Sequence, residues 1–416
     1  MTVEVLPMAP LQHNNNASIV TRRKMGSRFL TRWTILAICL CAALIYFLDI
    51  PSRFDQGKII TTFISGGTVD PLVLDIQQQI NSRKQSAAQA SNLFPVDPDA
   101  IKTVLFWTQF FGVPDSRGTM GSKLFDGCPV KQCTATNDKG NLNKADAVIF
   151  HALDVDPKAL PGPRGSKQHY VFLIGESPAN LPNNRVPDTP LGFFDMTHTY
   201  RLNSDILGHY MYSAPLEQAP KNFAEGKNKL VAWYVSNCHT HSKRENYVKQ
   251  LQKYVNVDVY GKCGSLKCSR NDEQACNQLL KKEYKFYLAF ENSICQDYVT
   301  EKFTNALSNY VVPVALGGGN MTIYPPNSYI HVDDFPSVKA LADYLQYLNN
   351  NDTAYNEYMK WRFDPVLVSS HGRYSAANSG WCELCEKLHD PAFEAKEYPN
   401  AKQWYMEGGH CREGKW

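Results

Sequence analysis

Excess charge of either sign is missing from this chain: 43 lysines and arginines face 40 aspartates and glutamates over 416 residues, leaving a formal +3. That balance offers nucleic acid no electrostatic footprint. No internal repeat is visible, so the chain is not read as a repeat array. Cys382-Glu383-Leu384-Cys385 has no second CxxC and no adjoining βαβ opening, and it reads neither as a thioredoxin-like motif nor as a paired zinc site. His239 and His241 stand beside Cys238 without an evident fourth ligand and read as polar loop residues. Present in quantity is ordinary core material, 43% hydrophobic and 12% aromatic, in a length that suits two domains plus appendages.

One run is long and apolar. Trp33–Leu48 as a helix would span roughly 24 Å, a little under a typical hydrocarbon core but tolerable in a thin early-secretory bilayer. Residues 1–32 ahead of it form a polar tail that closes with Arg22, Arg23, Lys24, Arg28 and Arg32. No small-residue cleavage pattern follows Leu48, where Asp49-Ile50-Pro51 stands, so a retained signal anchor over 33–50 is expected in place of a cleaved peptide. The basic excess before the span puts the N-terminus in the cytosol and everything after Pro51 in a lumen. Residues 51–100 mix Gln, Ser, Asp and Pro, with one short helix expected over Leu72–Ile80, and read as a stem. Cys39 and Cys41 lie in the span. The other ten, Cys128, Cys133, Cys238, Cys263, Cys268, Cys276, Cys295, Cys382, Cys385 and Cys411, are an even lumenal set that implies disulfides. Asn320-Met321-Thr322 and Asn351-Asp352-Thr353 are N-glycosylation sequons on the same side.

Chemistry gathers in Tyr284–Gly319. Tyr284–Phe290 is aromatic and apolar almost without interruption, the mark of a buried parallel strand. After Glu291-Asn292-Ser293, Asp297 is the expected N-cap of a helix whose Val299, Phe303, Ala306, Leu307 and Tyr310 share one face, and Val311–Leu316 is the next strand. A βαβ unit sets the helix N-terminus beside the carboxyl end of the sheet, where anions bind. Asn292, Tyr298, Glu301 and Lys302 fall in that loop or the first helical turn, an amide, a phenol, a carboxylate and an ammonium able to hold base, ribose and phosphate of a nucleotide. Taken alone, Glu301 and Lys302 also fit an ordinary charged first turn.

Earlier strands are expected at Thr103–Trp107, Ala145–His151 and Tyr170–Ile174. Gly175-Glu176-Ser177-Pro178 ends the third and places Glu176 at a strand end, where open α/β sheets present functional groups. Asp154-Val155-Asp156 has the spacing of a metal-binding aspartate pair, yet Pro157 and the loop LPGPRGS follow at once, so it reads as a solvated turn. Leu230–Val235 opens a second βαβ run, with Arg244 at the start of a helix carrying Tyr247, Val248, Leu251 and Tyr254 on one face, and Val255–Tyr260 as its next strand. Tyr329–Phe335 reads as strand and turn, and Ser337 caps a helix with the stripe Val338, Leu341, Ala342, Leu345 and Leu348.

The string FYLAFENS, then DYVTEK, an apolar helix and VPVALG resembles the signature segment of the α1,3-fucosyltransferases. The resemblance covers Ile101 to about Leu388 and is nearest in motifs to the invertebrate enzymes that fucosylate the N-glycan core. It implies an α/β fold of GT-B architecture, two Rossmann-like domains facing across a cleft: 101–225 on the acceptor side with the catalytic base, 226–365 binding GDP-fucose, and 366–416 a disulfide-linked C-terminal segment. It implies Glu176 of the Glu-Ser-Pro motif as the base, Arg244 as a pyrophosphate contact, and Asn292, Tyr298, Glu301 and Lys302 as further donor contacts. Tyr200-Arg201, after an aromatic and Asp run, receives a lesser role near the acceptor. Cys382 and Cys385 are expected to join Cys128 and Cys133, with the partners among the other six unassigned. The implied enzyme inverts, needs no obligatory metal though Mn2+ can stimulate it, and sits in the Golgi membrane with its head lumenal, acting on glycoprotein N-glycans.

Overall fold

Two all-parallel sheets carry the fold in this computed structural model, which describes residues 95–113, 120–181, 186–208, 214, 216–219, 221–268, 272–364 and 379–416. The first contains β1 (Lys102–Phe106), β2 (Cys133–Thr136), β3 (Ala147–His151), β4 (His169–Ile174), β5 (Met196–Thr199) and β6 (Ile206–Leu207), in the order β2-β1-β3-β4-β5-β6. The second contains β7 (Lys229–Tyr234), β8 (Val257–Tyr260), β9 (Tyr284–Phe290), β10 (Val312–Leu316) and β11 (Ile330–His331), in the order β11-β10-β9-β7-β8. All of these strands belong to one compact unit, Asp70–Trp416. The expected tail, span and stem helix lie outside the described residues, and among the described residues no helix is long and apolar enough to cross a membrane.

Burial explains the near-continuous apolar strands. β9 lies between β10 and β7, and β3 between β1 and β4, so both edges of each are paired; side chains also pack on both faces, and every residue is buried. Each large apolar side chain so enclosed contributes about 1.5–3 kcal/mol. Lys285, the one charge in β9, is satisfied at the end of its aliphatic stem by Asn349 O at 2.7 Å and Asp352 Oδ1 at 3.0 Å.

The second sheet supplies its own helical layers. α1 (Arg244–Leu251), α2 (Glu273–Glu283) and α3 (Glu301–Ser308) are its crossovers, followed by α4 (Val338–Asn349) and α5 (Asp352–Glu357). Tyr247, Val248 and Leu251 of α1 and Leu341 to Leu348 of α4 pack with Val231, Phe286 and Val314 on one face; Leu280, Phe303 and Leu307 pack with Ala232, Tyr287 and Ala315 on the other. The expected cap Ser337 is in place, accepting from Ala340 N at 3.1 Å, and Asn351 caps α5 by accepting from Ala354 N at 3.0 Å. Tyr254 is a correction: α1 ends at Leu251, and Tyr254 is 45% exposed. The strand and turn expected over Tyr329–Phe335 are present as Ile330–His331 and a 3₁₀ turn at Val332–Asp334.

The first sheet is covered differently. Its described crossovers contain 3₁₀ turns at Ser122–Phe125, Lys139–Lys144, Ala152–Asp154 and Pro178–Asn180, and its α-helical cover comes from the far end of the chain. α6 (Ser379–His389) packs Trp381, Leu384 and Cys385 onto Val104, Ile149 and Val171, while α7 (Ala401–Gly408) packs Ala401 and Tyr405 onto the face of Val148, Phe150 and Phe172. Disulfides Cys128–Cys382 and Cys133–Cys385 tie α6 down, the pairing of the C-terminal CxxC that was expected. Cys238–Cys263, Cys268–Cys276 and Cys295–Cys411 use the other six cysteines.

Candidate active site

Strand order reverses in the second sheet between β7 and β9: the chain runs from β7 outward to β8 and returns to place β9 on the opposite side. At such a switch point the loops leaving two adjacent strands diverge and open a crevice at the carboxyl edge. The loop leaving β7 leads into Arg244 at the first turn of α1, and the loop leaving β9 carries Asn292. They border a cavity of about 730 Å3 whose lining also includes Glu176, Tyr298, Glu301 and Lys302, so all six residues singled out from sequence meet around one space.

Glu291 organises the side of the cavity formed by the second sheet, and the sequence analysis gave it no role. It is the residue after β9 and is 2% exposed. Its Oε1 accepts from Thr300 N at 2.8 Å, the Thr300 hydroxyl donates to the same carboxylate at 2.8–2.9 Å, and Lys302 Nζ lies 3.1 Å from Oε2. Burial pushes the Glu291 carboxyl above its ordinary range, against the pull of Lys302. Burial would lower the Lys302 ammonium, but Glu291 and Glu301 hold it above its ordinary value and therefore charged. The helix is thus capped from a neighbouring strand. Asp297, the expected N-cap, stands four residues before α3 with φ at 62°, a left-handed geometry unlike the extended one an N-cap takes. Thr300 is the N-cap, and Asp297 Oδ2 accepts instead from Leu202 N at 3.2 Å.

Arg244 is only 3% exposed, so its side chain does not lie on the open surface of α1. Its guanidinium donates to Phe290 O and, at 3.1 Å, to Asn237 O. Burial lowers its pKa, opposed by Glu291. Arg244 Nε and Asn292 Oδ1 are buried without a hydrogen-bond partner among the described residues. An unmade hydrogen bond on a buried polar atom costs about 1–3 kcal/mol, so a donor and an acceptor left open beside one cavity point to a ligand that completes them.

Glu176 reaches the cavity from the other sheet. Asn180 Nδ2 donates to its Oε2 at 2.6 Å, and Tyr298 OH donates to the same oxygen at 3.2 Å. The sheets also meet through Ser177 Oγ and Ser293 Oγ. Tyr200 and Arg201 do not line the cavity; both are buried behind it. The Tyr200 ring packs 4.9 Å from that of Tyr298, and Arg201 donates to Trp404 O at 2.7 Å with its guanidinium over the Trp404 ring. Their contacts hold α7 and the Tyr298 loop in place. Asp154 is likewise engaged, receiving the amides of Phe111 and Gly112 at 2.7 and 2.9 Å and lying 2.5 Å from His151 Nδ1, while Asp156 accepts from Lys158 N at 2.9 Å. Neither aspartate borders the cavity. Cys238 is bonded to Cys263 and has no thiolate to offer beside His239 and His241.

A strap from the end of the chain closes over the loop between β9 and α3. Gln296 N donates to Gly409 O and Arg412 N to Ile294 O, each at 2.8 Å, around the Cys295–Cys411 bond. Trp416 Nε1 donates to Ser242 O at 2.7 Å, and the Ser242 hydroxyl donates to Glu291 O at 2.7 Å.

Two family models match the chain: "Fucosyltransferase, N-terminal" over residues 99–211 and "Glycosyltransferase family 10 (fucosyltransferase) C-term" over residues 224–404. The chain belongs to the fucosyltransferases of glycosyltransferase family 10. Alpha-(1,3)-fucosyltransferase C of Drosophila melanogaster is 37% identical over 351 residues, 75% of this family 10 chain and 79% of the relative. Glycoprotein 3-alpha-L-fucosyltransferase A of the same fly is 36% identical, covering 70% of this chain and 57% of its own length, and alpha-(1,3)-fucosyltransferase fut-1 of Caenorhabditis elegans is 40% identical, covering 62% and 61%. A solved α1,3-fucosyltransferase with GDP aligns at 16% identity with a TM-score of 0.48, over 74% of this fucosyltransferase and 96% of that chain.

Proposed function

We propose that the chain transfers L-fucose from GDP-β-L-fucose, in α1,3 linkage and with inversion, to a GlcNAc of N-glycans, the core GlcNAc being the acceptor. The observation that carries the reading is the convergence of Glu176 from one sheet with Arg244 and Lys302 from the other on a single cavity. In one displacement the acceptor oxygen attacks the anomeric carbon, Glu176 takes its proton, and the bond from that carbon to the diphosphate breaks. Arg244 and Lys302 stabilise the charge that collects on the departing GDP, which the positive end of α3 also favours. Two fixed cations make an obligatory metal unnecessary, while Mn2+ paired with the diphosphate can stimulate. Asn292 and Glu301 complete the donor contacts.

Residues 101–225 would serve as the acceptor half and 226–365 as the donor half of a GT-B enzyme, with 366–416 bound across both. Five disulfides support an oxidising compartment. With the apolar run at 33–50 they support residence as a single-span Golgi protein with a lumenal head. The core acceptor is favoured by the motif likeness to invertebrate relatives, one of which is named a glycoprotein fucosyltransferase. Incubating a soluble head beginning near Ser52 with GDP-fucose and defined N-glycans, then mapping the new linkage, tests the reading. Fucose on the core GlcNAc is the expected product. Fucose only on the outer GlcNAc of lactosamine or LacdiNAc antennae would overturn the acceptor, and no transfer to any glycan would leave a glycan-binding relative without catalysis.

A further inference from the structure

A carboxylate that takes a proton needs one oxygen held and the other free. Glu176 meets that description: both of its hydrogen bonds, from Asn180 Nδ2 at 2.6 Å and Tyr298 OH at 3.2 Å, end on Oε2, and among the described residues Oε1 accepts none. Since an ionised carboxylate only accepts, the amide face that Asn180 turns towards it is its NH2 group. Asn180 is four residues beyond Glu176, brought back by the 3₁₀ turn Pro178–Asn180. Pro178 fixes φ at the first position of that turn, and Asn180 N donates to Ser177 O at 3.0 Å. Ser177 is itself buried against Ser293. The turn is therefore anchored at both ends, and its one contact with the reacting group is the short bond to Oε2. Asn180 is not among the residues that line the cavity.

We propose that Asn180 is a positioning residue which, with Tyr298, fixes the Glu176 carboxylate by Oε2 so that Oε1 receives the proton of the acceptor hydroxyl; this rests on the reading of Glu176 as the base. Tyr298 thereby serves two partners, the donor loop it belongs to and the base on the opposite sheet. No oxidant or further reactant is involved: the proton moves from the acceptor oxygen to Oε1, and the electron pair of the breaking bond leaves with GDP.

Asn180→Ala, Asn180→Asp and Glu176→Gln are compared with wild type for kcat, KM for GDP-fucose and calorimetric GDP binding, across pH. Loss of a hydrogen bond to a charged group corresponds to about 10- to 100-fold, so Asn180→Ala is expected to lower kcat by about that factor with GDP affinity unchanged. Asn180→Asp has the same shape and replaces the donor by a second carboxylate. Two facing carboxylates share a proton more readily than either holds one alone, so this variant's kcat should carry a pH dependence that Asn180→Ala lacks. A purely structural Asn180 would instead weaken GDP binding and kcat together and give both variants the same pH dependence, which overturns the proposal. Wild-type kcat in Asn180→Ala overturns it as well. If Glu176→Gln keeps its turnover, the base assignment has failed and this inference with it. If Glu176→Gln collapses while Asn180→Ala and Asn180→Asp do not respond, only the positioning role has failed.

Discussion

The two sheets are alike in strand direction and unlike in how they obtain their cover. The second sheet builds its layers from α1, α2 and α3, each lying between the strands it connects. The first sheet takes α6 and α7 from residues beyond 378 and fastens α6 with disulfides that span 254 and 252 residues. One half is local in sequence and closes as it is made; the other depends on contacts across most of the chain, where closure entropy is largest. Chemistry divides along the same line. Glu176, the proposed base, stands on the half with borrowed cover, while the cations and the carboxylate that organises them all lie within the locally closed half.

The largest effect that would sharpen this contrast is expected from Glu176→Gln, which keeps the shape of the side chain and removes the proton acceptor. Turnover should fall by about 100- to 10,000-fold while calorimetry finds GDP bound as in wild type. Loss of GDP binding to the degree seen in Arg244→Ala would break the division of labour. Next come Arg244→Ala and Lys302→Ala, each of which removes a charge-assisted contact and should weaken GDP binding by about 10- to 100-fold along with the rate. An unchanged Kd for GDP in both would remove the cations from the donor site.

Disulfides probe the same contrast through stability. Loss of a native disulfide typically costs about 2–5 kcal/mol. In Cys133→Ala/Cys385→Ala the melting temperature should drop with little change in GDP affinity, because the loosened helix covers the first sheet. In Cys295→Ala/Cys411→Ala both should fall, because that bond pins the loop carrying Asn292 and Tyr298. Identical GDP affinities in the two double variants would mean that the strap does not act on the donor site. The smallest effect is expected from EDTA, which should leave substantial turnover, Asp154 being engaged by His151 and two amides. Complete loss on chelation, with a metal rescue that Asp154→Ala and Asp156→Ala abolish, would contradict this.

Legibility in the sequence followed locality. Tyr284–Phe290 and Ala147–His151 could be read because burial on both faces leaves a plain apolar run. α4 could be read because its stripe and its Ser337 cap are contiguous. Asp297 misled because its composition suits an N-cap and only the backbone angle reveals otherwise. Glu291 stayed hidden since its function lies in contacts with Thr300 and Lys302, nine and eleven residues on, that no spacing rule describes. The same holds for α6 and α7, whose amphipathic faces do not say which sheet they cover. Of the six residues gathered at the cavity, five lie in or beside loops leaving β7 and β9, and Glu176 could be joined to them only through the family likeness.

The strap that closes over the loop between β9 and α3 has a consequence in time. Cys295 waits 116 residues for Cys411, so at roughly 5–20 residues per second of translation the loop is without its bond for about 6 to 23 s after it has been made. Throughout that interval Cys295 is a thiol in a loop whose strap has not yet been made. A chain halted anywhere before Cys411 would carry all six residues that border the cavity and still hold Cys295 as an unpaired thiol. The last bond to form would in this way report whether synthesis was completed before the cavity is put to use.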